Sequence, residues 1–242
     1  MKYIIASDFH LKYIETTEDK NRRLKVEAFL ISQIGQIDGL ILVGDIFDFW
    51  IEWNNSIIKN YFNFLFILKK LRESGCRLIF LPGNHDFWIG SFLTDTIGFE
   101  IYSGYFSETI NGKKVFISHG DNYTSNDARY HFFRKIIRRP FFSHFAQSLH
   151  PSVSLSIGNI ISRTTNKREK SEKLSKKQEN GLLLKAEELK SEYDLIIFGH
   201  THIPRKIEME KCTYINCGDW VKNYSYCCFD EEKVELRFYE NK

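Results

Sequence analysis

The sequence predicts an α/β fold in which two β-sheets pack face to face with helices on their outer sides, a four-layer αββα sandwich. Short runs of Ile, Leu, Val and Phe alternate with helix-length amphipathic segments through the first half of the 242-residue chain, a pattern typical of layered α/β sheets. The last fifty or so residues hold strand-like runs joined by short turns, which predicts further sheet without helices between the strands. A basic, aromatic block at residues 122–180 interrupts the pattern.

The individual elements follow from these runs. Five apolar runs are too short for helices and predict buried strands at residues 3–6, 40–43, 78–81, 115–118 and 195–198. Apolar stripes predict helices over residues 19–35 and 55–74, and Gly75 stands where the second helix needs a C-cap. Towards the end of the chain, strands are predicted at residues 203–210, 213–216, 224–229 and 234–239. The short turns between them favour antiparallel pairing.

The block at residues 122–180 predicts a helical cap inserted into one domain that spans residues 1–242. It holds 12 Lys and Arg against 4 Asp and Glu, and Pro140 and Pro151 punctuate short helices. Its Phe and Tyr side chains interleave with Arg, which fits a cap over a substrate. The alternative is that these aromatic side chains only pack the block against the body while the charges stay solvated.

Composition excludes several classes of protein. With 43% hydrophobic and 27% charged residues the chain is neither disordered nor collagen-like, and a net charge of +3 gives no reason to expect nucleic-acid binding. The five cysteines are irregularly spaced, so we expect buried reduced thiols; the alternative is a zinc site from Cys212, Cys217, Cys227 and Cys228. The chain shows neither a leader peptide nor an apolar span, which predicts a cytoplasmic protein, and no obligate protein partner is implied.

Polar side chains follow the end of almost every predicted strand. They are Asp8 and His10 after the first strand, Asp45 and Asp48 after the second, Asn84, His85 and Asp86 after the third, His119 after the fourth, and His200 and His202 after the fifth. Loops at the carboxyl ends of strands in open α/β sheets form one site, so these side chains should converge. An extended Asp8-x-His10 segment would place both side chains on one face. Glycines in the same loops let the backbone approach an ion closely.

The donor types in these loops predict metal chemistry. Carboxylate, imidazole and amide donors without a thiolate suit Mn²⁺, Fe or Zn²⁺. Seven candidate ligands are too many for one tetrahedral ion but suffice for two ions that share a carboxylate, a standard arrangement for displacement at phosphorus. Each motif alone is more typical of a turn, a helix cap or a buried histidine. Their joint placement at strand ends is what indicates a metal centre.

The motif series resembles that of the calcineurin-like metallophosphoesterases. The motifs are Asp8-x-His10, Gly44-Asp45-x-x-Asp48, Gly83-Asn84-His85-Asp86, Ser118-His119-Gly120-Asp121 and Gly199-His200-Thr201-His202. The resemblance implies a first metal ion on Asp8, His10, Asp45 and His202, and a second on Asp45, Asn84, His119 and His200, with Mn²⁺ as the expected metal. It also implies a metal-bridging hydroxide as nucleophile and His85 beside the substrate phosphate. Asp48 and Asp86 would orient the ligands.

A narrower resemblance links the chain to the UDP-2,3-diacylglucosamine hydrolases of lipid A biosynthesis. It rests on Phe49-Trp50-Ile51, Phe87-Trp88, the stretch from Ser125 to Arg134 and a Ser162-x-x-x-Asn166-Lys167 segment. That family hydrolyses the pyrophosphate of a nucleotide-linked diacyl sugar to UMP and the acylated sugar phosphate. The resemblance implies acyl chains under the cap and peripheral contact with the cytoplasmic face of the inner membrane. Implied substrate contacts are Asn84, His85, Asp127, Tyr130, Phe133, Asn166 and Lys167.

Two alternatives stay open. The best-known lipid hydrolases have Arg where this chain has His85, whereas the wider superfamily has His, so a generic phosphodiesterase, phosphatase or nuclease is the second interpretation. A non-catalytic scaffold is the third, and the presence of all seven candidate ligands speaks against it. Outside this series, Asp219 and Trp220 beside Gly218 predict a turn after a strand.

Overall fold

A computed structural model of the chain describes residues 1–53, 55–124, 139–158, 172–231 and 233–240. Along the chain the elements are β1 (Lys2–Ala6), α1 (Thr17–Gln33), β2 (Gly39–Leu42), a 3-10 turn (Lys59–Tyr61), α2 (Phe62–Glu73), β3 (Arg77–Phe80), a π-helical turn (Phe92–Ile97), β4 (Phe99–Ile101), β5 (Phe106–Ile110), β6 (Lys113–Ser118), α3 (Pro140–Ser148), α4 (Glu172–Leu189), β7 (Leu195–Phe198), β8 (Arg205–Met209), β9 (Cys212–Asn216), β10 (Ser225–Asp230) and β11 (Lys233–Phe238). Residues 151–158 are also helical.

The strands form two mixed sheets. The first sheet has the order β11-β10-β1-β2-β3-β4 and the second has the order β5-β6-β7-β9-β8. β1 to β4 are parallel to one another, as are β6, β7 and β9. The predicted antiparallel pairing near the C-terminus is confirmed for β8 with β9 and for β10 with β11. It is wrong for β9 with β10, because these two strands lie in different sheets. β9 pairs instead with β8 on one side and, in parallel, with β7 on the other.

Three apolar clusters separate four layers, which confirms the αββα sandwich. The first, between α1, α2 and the first sheet, includes Phe29, Leu65 and Leu78. The middle cluster fills the space between the sheets with β-branched side chains such as those of Ile5, Ile41, Ile79, Ile117 and Ile197. The third packs Leu182 and Ala186 of α4 against Ile196 and Phe198 of the second sheet. The alternation of residues along each central strand therefore serves two cores at once.

Helix boundaries follow local signals with one difference. Thr16 and Asp19 form a reciprocal capping box at the start of α1. Gly75 takes φ +95° directly after α2, as the predicted C-cap requires. The helix predicted from residue 55 begins only at the 3-10 turn, because Trp53 and Ser56 form a short bridge instead.

The described part of the insertion packs beside the loop that follows β2. The Gln147 side-chain amide donates to the Glu52 carbonyl oxygen at 2.9 Å, and the Tyr13 hydroxyl donates to the Leu155 carbonyl oxygen. Gly158 lies against the Phe49 ring. The predicted end of the cap at residue 180 falls inside α4, a helix whose second half covers the second sheet.

All five cysteines are buried and free, and those of the last strands pack in the apolar clusters. This confirms the interpretation as buried reduced thiols. None of the metal-binding side-chain groups among the described residues contains a cysteine, which removes the zinc alternative there. Within the same described ranges, no helix is both long enough and apolar enough to cross a bilayer.

Candidate metal centre

Loops from both sheets bring the predicted ligands to one place. Asp8, His10, Asp45 and Asn84 follow strands of the first sheet, and His119, His200 and His202 follow strands of the second. The donor atoms of Asp8, His10 and His202 lie within 4.8 Å of one another, as do those of Asp45, His119 and His200. These are two of the three such groups among the described residues; the third, His10, Asp48 and His85, shares His10 with the first.

The donor atoms of Asp8, His10 and His202, the first group, face a common point. Asp8 Oδ1 lies 3.3 Å from His202 Nε2 and 3.7 Å from His10 Nε2. The two imidazole Nε2 atoms are themselves 3.2 Å apart. Two nitrogens and one carboxylate oxygen thus face one another at the separations expected of donors around a shared cation.

Asp45 joins the second group to the first. Its Oδ2 lies 3.5 Å from His119 Nε2 and 3.9 Å from His10 Nε2, so one oxygen faces both groups. The Asn84 side-chain oxygen lies 3.2 Å from His119 Nε2 and adds an amide donor to the second group. This is the arrangement that a carboxylate shared between two ions requires.

Strained backbone places these side chains. Five candidate ligands have positive φ: Asp8 (57°), His10 (46°), Asp45 (53°), His200 (69°) and His202 (60°). Such left-handed conformations cost about 1–3 kcal/mol each and persist only where the surroundings impose them. The expectation that Asp8 and His10 are extended is wrong, because their backbone N–H groups donate to the carbonyl oxygens of Gly44 and Asp45 and the segment turns to follow that loop.

Two glycines allow the loops to approach the ligands. A Cβ atom on Gly44 would lie 2.6 Å from His119 Nδ1, and one on Gly83 would collide with Asp45 Oδ1. Gly44 also has φ +77°. At these two positions the backbone comes close to the candidate ligands His119 and Asp45, and its approach to an ion stays a prediction.

The carboxylates and imidazoles of the candidate centre are buried close together and shift one another's pKa values. Burial alone would raise the pKa of the Asp45 carboxyl, but the imidazoles of His119 and His85 outweigh it and hold that pKa well below its usual range. Burial alone would lower the pKa of His119, yet the Asp45 carboxylate raises it to about 10. The carboxylates thus favour positive charge on the imidazoles. Bound divalent cations would supply that charge in place of the protons.

The residues present fit two divalent ions. Asp8 Oδ1 is buried and accepts no hydrogen bond from the described residues, and a buried carboxylate oxygen is costly unless a cation pairs with it. The donors that face this oxygen and its neighbour Asp45 are imidazole, carboxylate and amide groups, which Mn²⁺, Fe and Zn²⁺ accept. Clustered donors and a buried carboxylate oxygen without a hydrogen bond together indicate divalent metal binding.

Asp86 and Asp48 lie behind the ligands. Asp86 accepts backbone N–H bonds from Gly83 at 2.8 Å, Ile46 at 2.7 Å and Asp45 at 3.2 Å, which ties two of the loops together. Burial, followed by the Asp45 charge, raises the pKa of Asp86 to about 6. Asp48 Oδ1 lies 3.6 Å from His10 Nδ1 and 4.0 Å from His85 Nδ1, on the far side of both rings from Asp45.

Asp219, which the sequence predicts in a turn, contacts one of the candidate ligands. Its Oδ2 lies 3.4 Å from His202 Nδ1, and its Oδ1 accepts backbone N–H bonds from Val221, Lys222 and Asn223. Burial opposes ionisation, but the His202 contact outweighs it and lowers the pKa of Asp219 to about 2. A signal existed in the sequence: Asp219 follows β9 through a glycine, as Asp45 follows β2.

Replacing Asp219 with Asn should reduce phosphoester hydrolysis about 10- to 100-fold, the usual cost of losing a carboxylate partner of a metal-binding histidine. The variant keeps an oxygen for the three backbone N–H groups, so we expect a melting temperature within about 2–4 °C of the parent. Initial rates and thermal melting measure both effects, with Asp95→Asn at an exposed position as the control. An Asp219→Asn rate equal to that of the control would contradict this role.

The predicted substrate contacts divide into two sets. Asn84 and His85 lie at the metal-binding groups, where His85 Nε2 is 3.9 Å from Asp45 Oδ2. Asp127, Tyr130, Phe133, Asn166 and Lys167 lie outside the described residues. Their part in substrate binding stays a prediction.

Comparison with protein families decides the classification. The model of the calcineurin-like phosphoesterases matches residues 1–204, which includes every candidate ligand. The chain belongs to the calcineurin-like phosphoesterase family. As a calcineurin-like phosphoesterase it is a metal-dependent hydrolase of phosphoric esters, and the interpretation as a non-catalytic scaffold falls away.

Curated relatives of this calcineurin-like phosphoesterase carry a more specific name. A UDP-2,3-diacylglucosamine hydrolase from Haemophilus influenzae (strain PittGG) is 29% identical, covering 96% of each chain. One from Porphyromonas gingivalis is 26% identical, covering 99% of this chain and 98% of the relative. Among solved structures, an archaeal phosphodiesterase aligns with a TM-score of 0.48 and 21% identity over 98% of both chains.

Proposed function

We propose that this chain hydrolyses the pyrophosphate bond of UDP-2,3-diacylglucosamine, or of a closely related nucleotide-linked lipid, to UMP and the acylated sugar 1-phosphate. The observation that carries the proposal is the similarity to UDP-2,3-diacylglucosamine hydrolases along almost the whole chain, with the insertion included in the aligned length. The complete set of clustered donors supports the same reaction class. A lipid substrate would also bring the chain into peripheral contact with the cytoplasmic face of a membrane.

Two Mn²⁺ ions are the proposed cofactors, with Fe or Zn²⁺ as substitutes. Asp8, His10, Asp45 and His202 would hold the first ion, and Asp45, Asn84, His119 and His200 the second. The short distances from Asp45 Oδ2 to His119 and His10 support a shared carboxylate. When bound, such ions lower the pKa of water and neutralise charge on a phosphate undergoing in-line displacement.

His85 is the proposed proton donor to the substrate. Its Nδ1 lies 3.2 Å from the Asp48 carbonyl oxygen, so this nitrogen keeps its hydrogen and donates it to the backbone. Nε2 is then the atom that gains or loses a proton, and it faces the metal-binding groups beside Asp45. From there it can donate to a phosphate oxygen or to the leaving group.

The described part of the insertion supports a lipid substrate. Phe141 and Phe145, one helical turn apart on α3, are 71% and 54% exposed. Val153 and Ile157, with the same spacing on the next helical segment, are also exposed. Apolar side chains at i, i+4 form a stripe along one helix face, which suits acyl chains or the surface of a bilayer.

The double variant Phe141→Ser/Phe145→Ser should lower kcat/KM for the diacylated substrate about 10- to 100-fold, which corresponds to about 1.4–2.7 kcal/mol. This is about half of what full burial of two phenylalanine rings is worth, at about 1.5–3 kcal/mol for each ring, as expected if the acyl chains cover each ring in part. Hydrolysis of a soluble nucleotide-sugar diphosphate should change less than about twofold. Phe66→Ser, at a phenylalanine of similar exposure on α2, is the matched control. Equal losses on both substrates would identify the two rings as packing residues without a role in lipid binding.

The proposal is tested by product analysis. The purified chain with Mn²⁺ is given UDP-2,3-diacylglucosamine, a small aryl phosphodiester and single-stranded DNA in separate reactions, and products are identified by mass spectrometry. We expect UMP and the acylated sugar phosphate to form much faster than the products of the other two reactions. Turnover of the aryl diester or DNA without the lipid would replace the proposal with the generic phosphoesterase, the alternative that His85 favours.

A further inference from the structure

A buried carboxylate on α4 contacts the loop that carries two candidate ligands. Glu179 is 2% exposed and lies on the helix face that packs against the second sheet. Its Oε2 accepts hydrogen bonds from the Thr201 hydroxyl at 2.7 Å and the Asn216 side-chain amide at 3.0 Å. Its Oε1 accepts one from the Tyr214 hydroxyl at 2.9 Å. Among the described residues, exposed Arg205 places its Nη1 4.0 Å from Oε1.

Thr201 stands at the centre of the strained loop. It separates His200 and His202, both of which have left-handed backbone conformations. Its N–H donates to the Gly199 carbonyl oxygen at 2.8 Å. The Asn216 amide donates both to Thr201 Oγ1 at 2.7 Å and to the Gly199 carbonyl oxygen at 3.2 Å. Glu179 and Asn216 therefore hold the backbone from Gly199 to Thr201, next to the two imidazoles, through hydrogen bonds.

The same helix supports the loop after β6. Gly181 lies against the Tyr123 carbonyl oxygen, where a Cβ atom would be 2.6 Å away, and Leu182 packs on Gly120. Gly120 directly follows His119. One helix thus contacts both loops that bring imidazoles from the second sheet. Among the described contacts of this helix with the two loops, the one at Thr201 is made by a buried carboxyl group, and burying such a group costs free energy unless hydrogen bonds satisfy it.

We propose that Glu179 is a positioning residue of the metal centre: through Thr201 it holds the His200–His202 loop in the strained conformation that aims both imidazoles at the carboxylates. The inference rests on the proposed metal-binding function of those histidines. It assigns to α4, the helix that completes the insertion, a direct effect on metal affinity.

Metal binding by the full chain tests this inference without relying on catalysis. The chain is stripped with a chelator and titrated with Mn²⁺, and the free ion is counted by the electron paramagnetic resonance signal of hydrated Mn²⁺. Glu179→Ala and Thr201→Val should each weaken Mn²⁺ binding about 10- to 100-fold, the range known for groups that orient metal ligands. Thr201→Val keeps nearly the same volume, so it supplies the test even if Glu179→Ala does not fold.

Two further variants separate positioning from general stability. Glu179→Gln should recover most of the affinity, because its amide oxygen can accept from Thr201 and Asn216 while its NH₂ group donates to the Tyr214 oxygen. Tyr214→Phe removes the bond to Oε1 and leaves the bond from Thr201 to Oε2 in place, so it should lower the melting temperature of the metal-free protein and leave Mn²⁺ affinity within about twofold.

The outcomes are distinct. Parental affinity in both Glu179→Ala and Thr201→Val, or a loss in Tyr214→Phe as large as theirs, would overturn the positioning role and leave the proposed function standing. A parent protein that binds no Mn²⁺ would overturn the proposed function and this inference with it.

Discussion

Replacing Asp45 with Ala should lower phosphoester hydrolysis by about three orders of magnitude or more. Asp45 Oδ2 faces His119 and His10 at 3.5 and 3.9 Å, so its loss removes a donor from both groups at once. Metal stabilisation of phosphoryl displacement is worth several kcal/mol, and about 4 kcal/mol corresponds to a thousandfold in rate. Initial rates with saturating Mn²⁺ measure the effect, and the bound metal per chain should fall in parallel.

The fold should survive this substitution. Asp45 makes local hydrogen bonds, among them one from the His85 backbone N–H at 2.9 Å, but lies outside the three apolar clusters. Circular dichroism should therefore match that of the parent. Asp95→Ala, at an exposed position, is the control for loss of a carboxylate. Retained turnover in Asp45→Ala with Mn²⁺ present would refute the role of Asp45 in the centre.

Removal of divalent ions should abolish hydrolysis, and Mn²⁺ should restore it. Ions at 100 times their dissociation constant stabilise the folded chain by about 2.7 kcal/mol for each site. For a domain of this size that raises the melting temperature by about 5–10 °C. Thermal melting of the chelated protein with and without added Mn²⁺ measures the shift.

The two experiments check one another. Mn²⁺ should not produce this increase in Asp45→Ala, since the variant lacks the shared carboxylate, while the Asp95→Ala control should show it in full. Undiminished turnover after exhaustive chelation, with metal content verified by mass spectrometry, would rule out the metal-dependent reaction.

Most central elements were predictable because apolar runs report burial directly. The five predicted strands correspond to β1, β2, β3, β6 and β7, whose residues are almost all buried. The sequence did not predict β4 and β5, because neither contains a buried apolar run. β5 exposes its three middle residues, and β4 is only three residues long with an exposed Glu100, so neither leaves an apolar run. Which strands pair depends on contacts between residues distant in sequence, which explains why the partners of β9 were not all predicted correctly.

The candidate ligands were predictable because each follows a strand within a few residues. Their backbone conformations were not, since a left-handed φ at Asp8 or His202 arises from contacts between loops. Glu179 left no sequence signal at all. It stands in a charged helical segment, and its burial depends on which face of α4 packs against the second sheet. Its partner Thr201 lies 22 residues further along the chain.

The division of donors between the two sheets gives the proposed ions a mechanical role. Each ion would take ligands from loops of both sheets. It would therefore link the two sheets across the middle apolar cluster, where the isoleucine side chains pack. A shift of one sheet relative to the other by about an ångström would distort the arrangement of ligands around both ions. We therefore expect a cavity introduced at Ile41 or Ile197, between the two sheets, to slow turnover under conditions in which the chain stays folded.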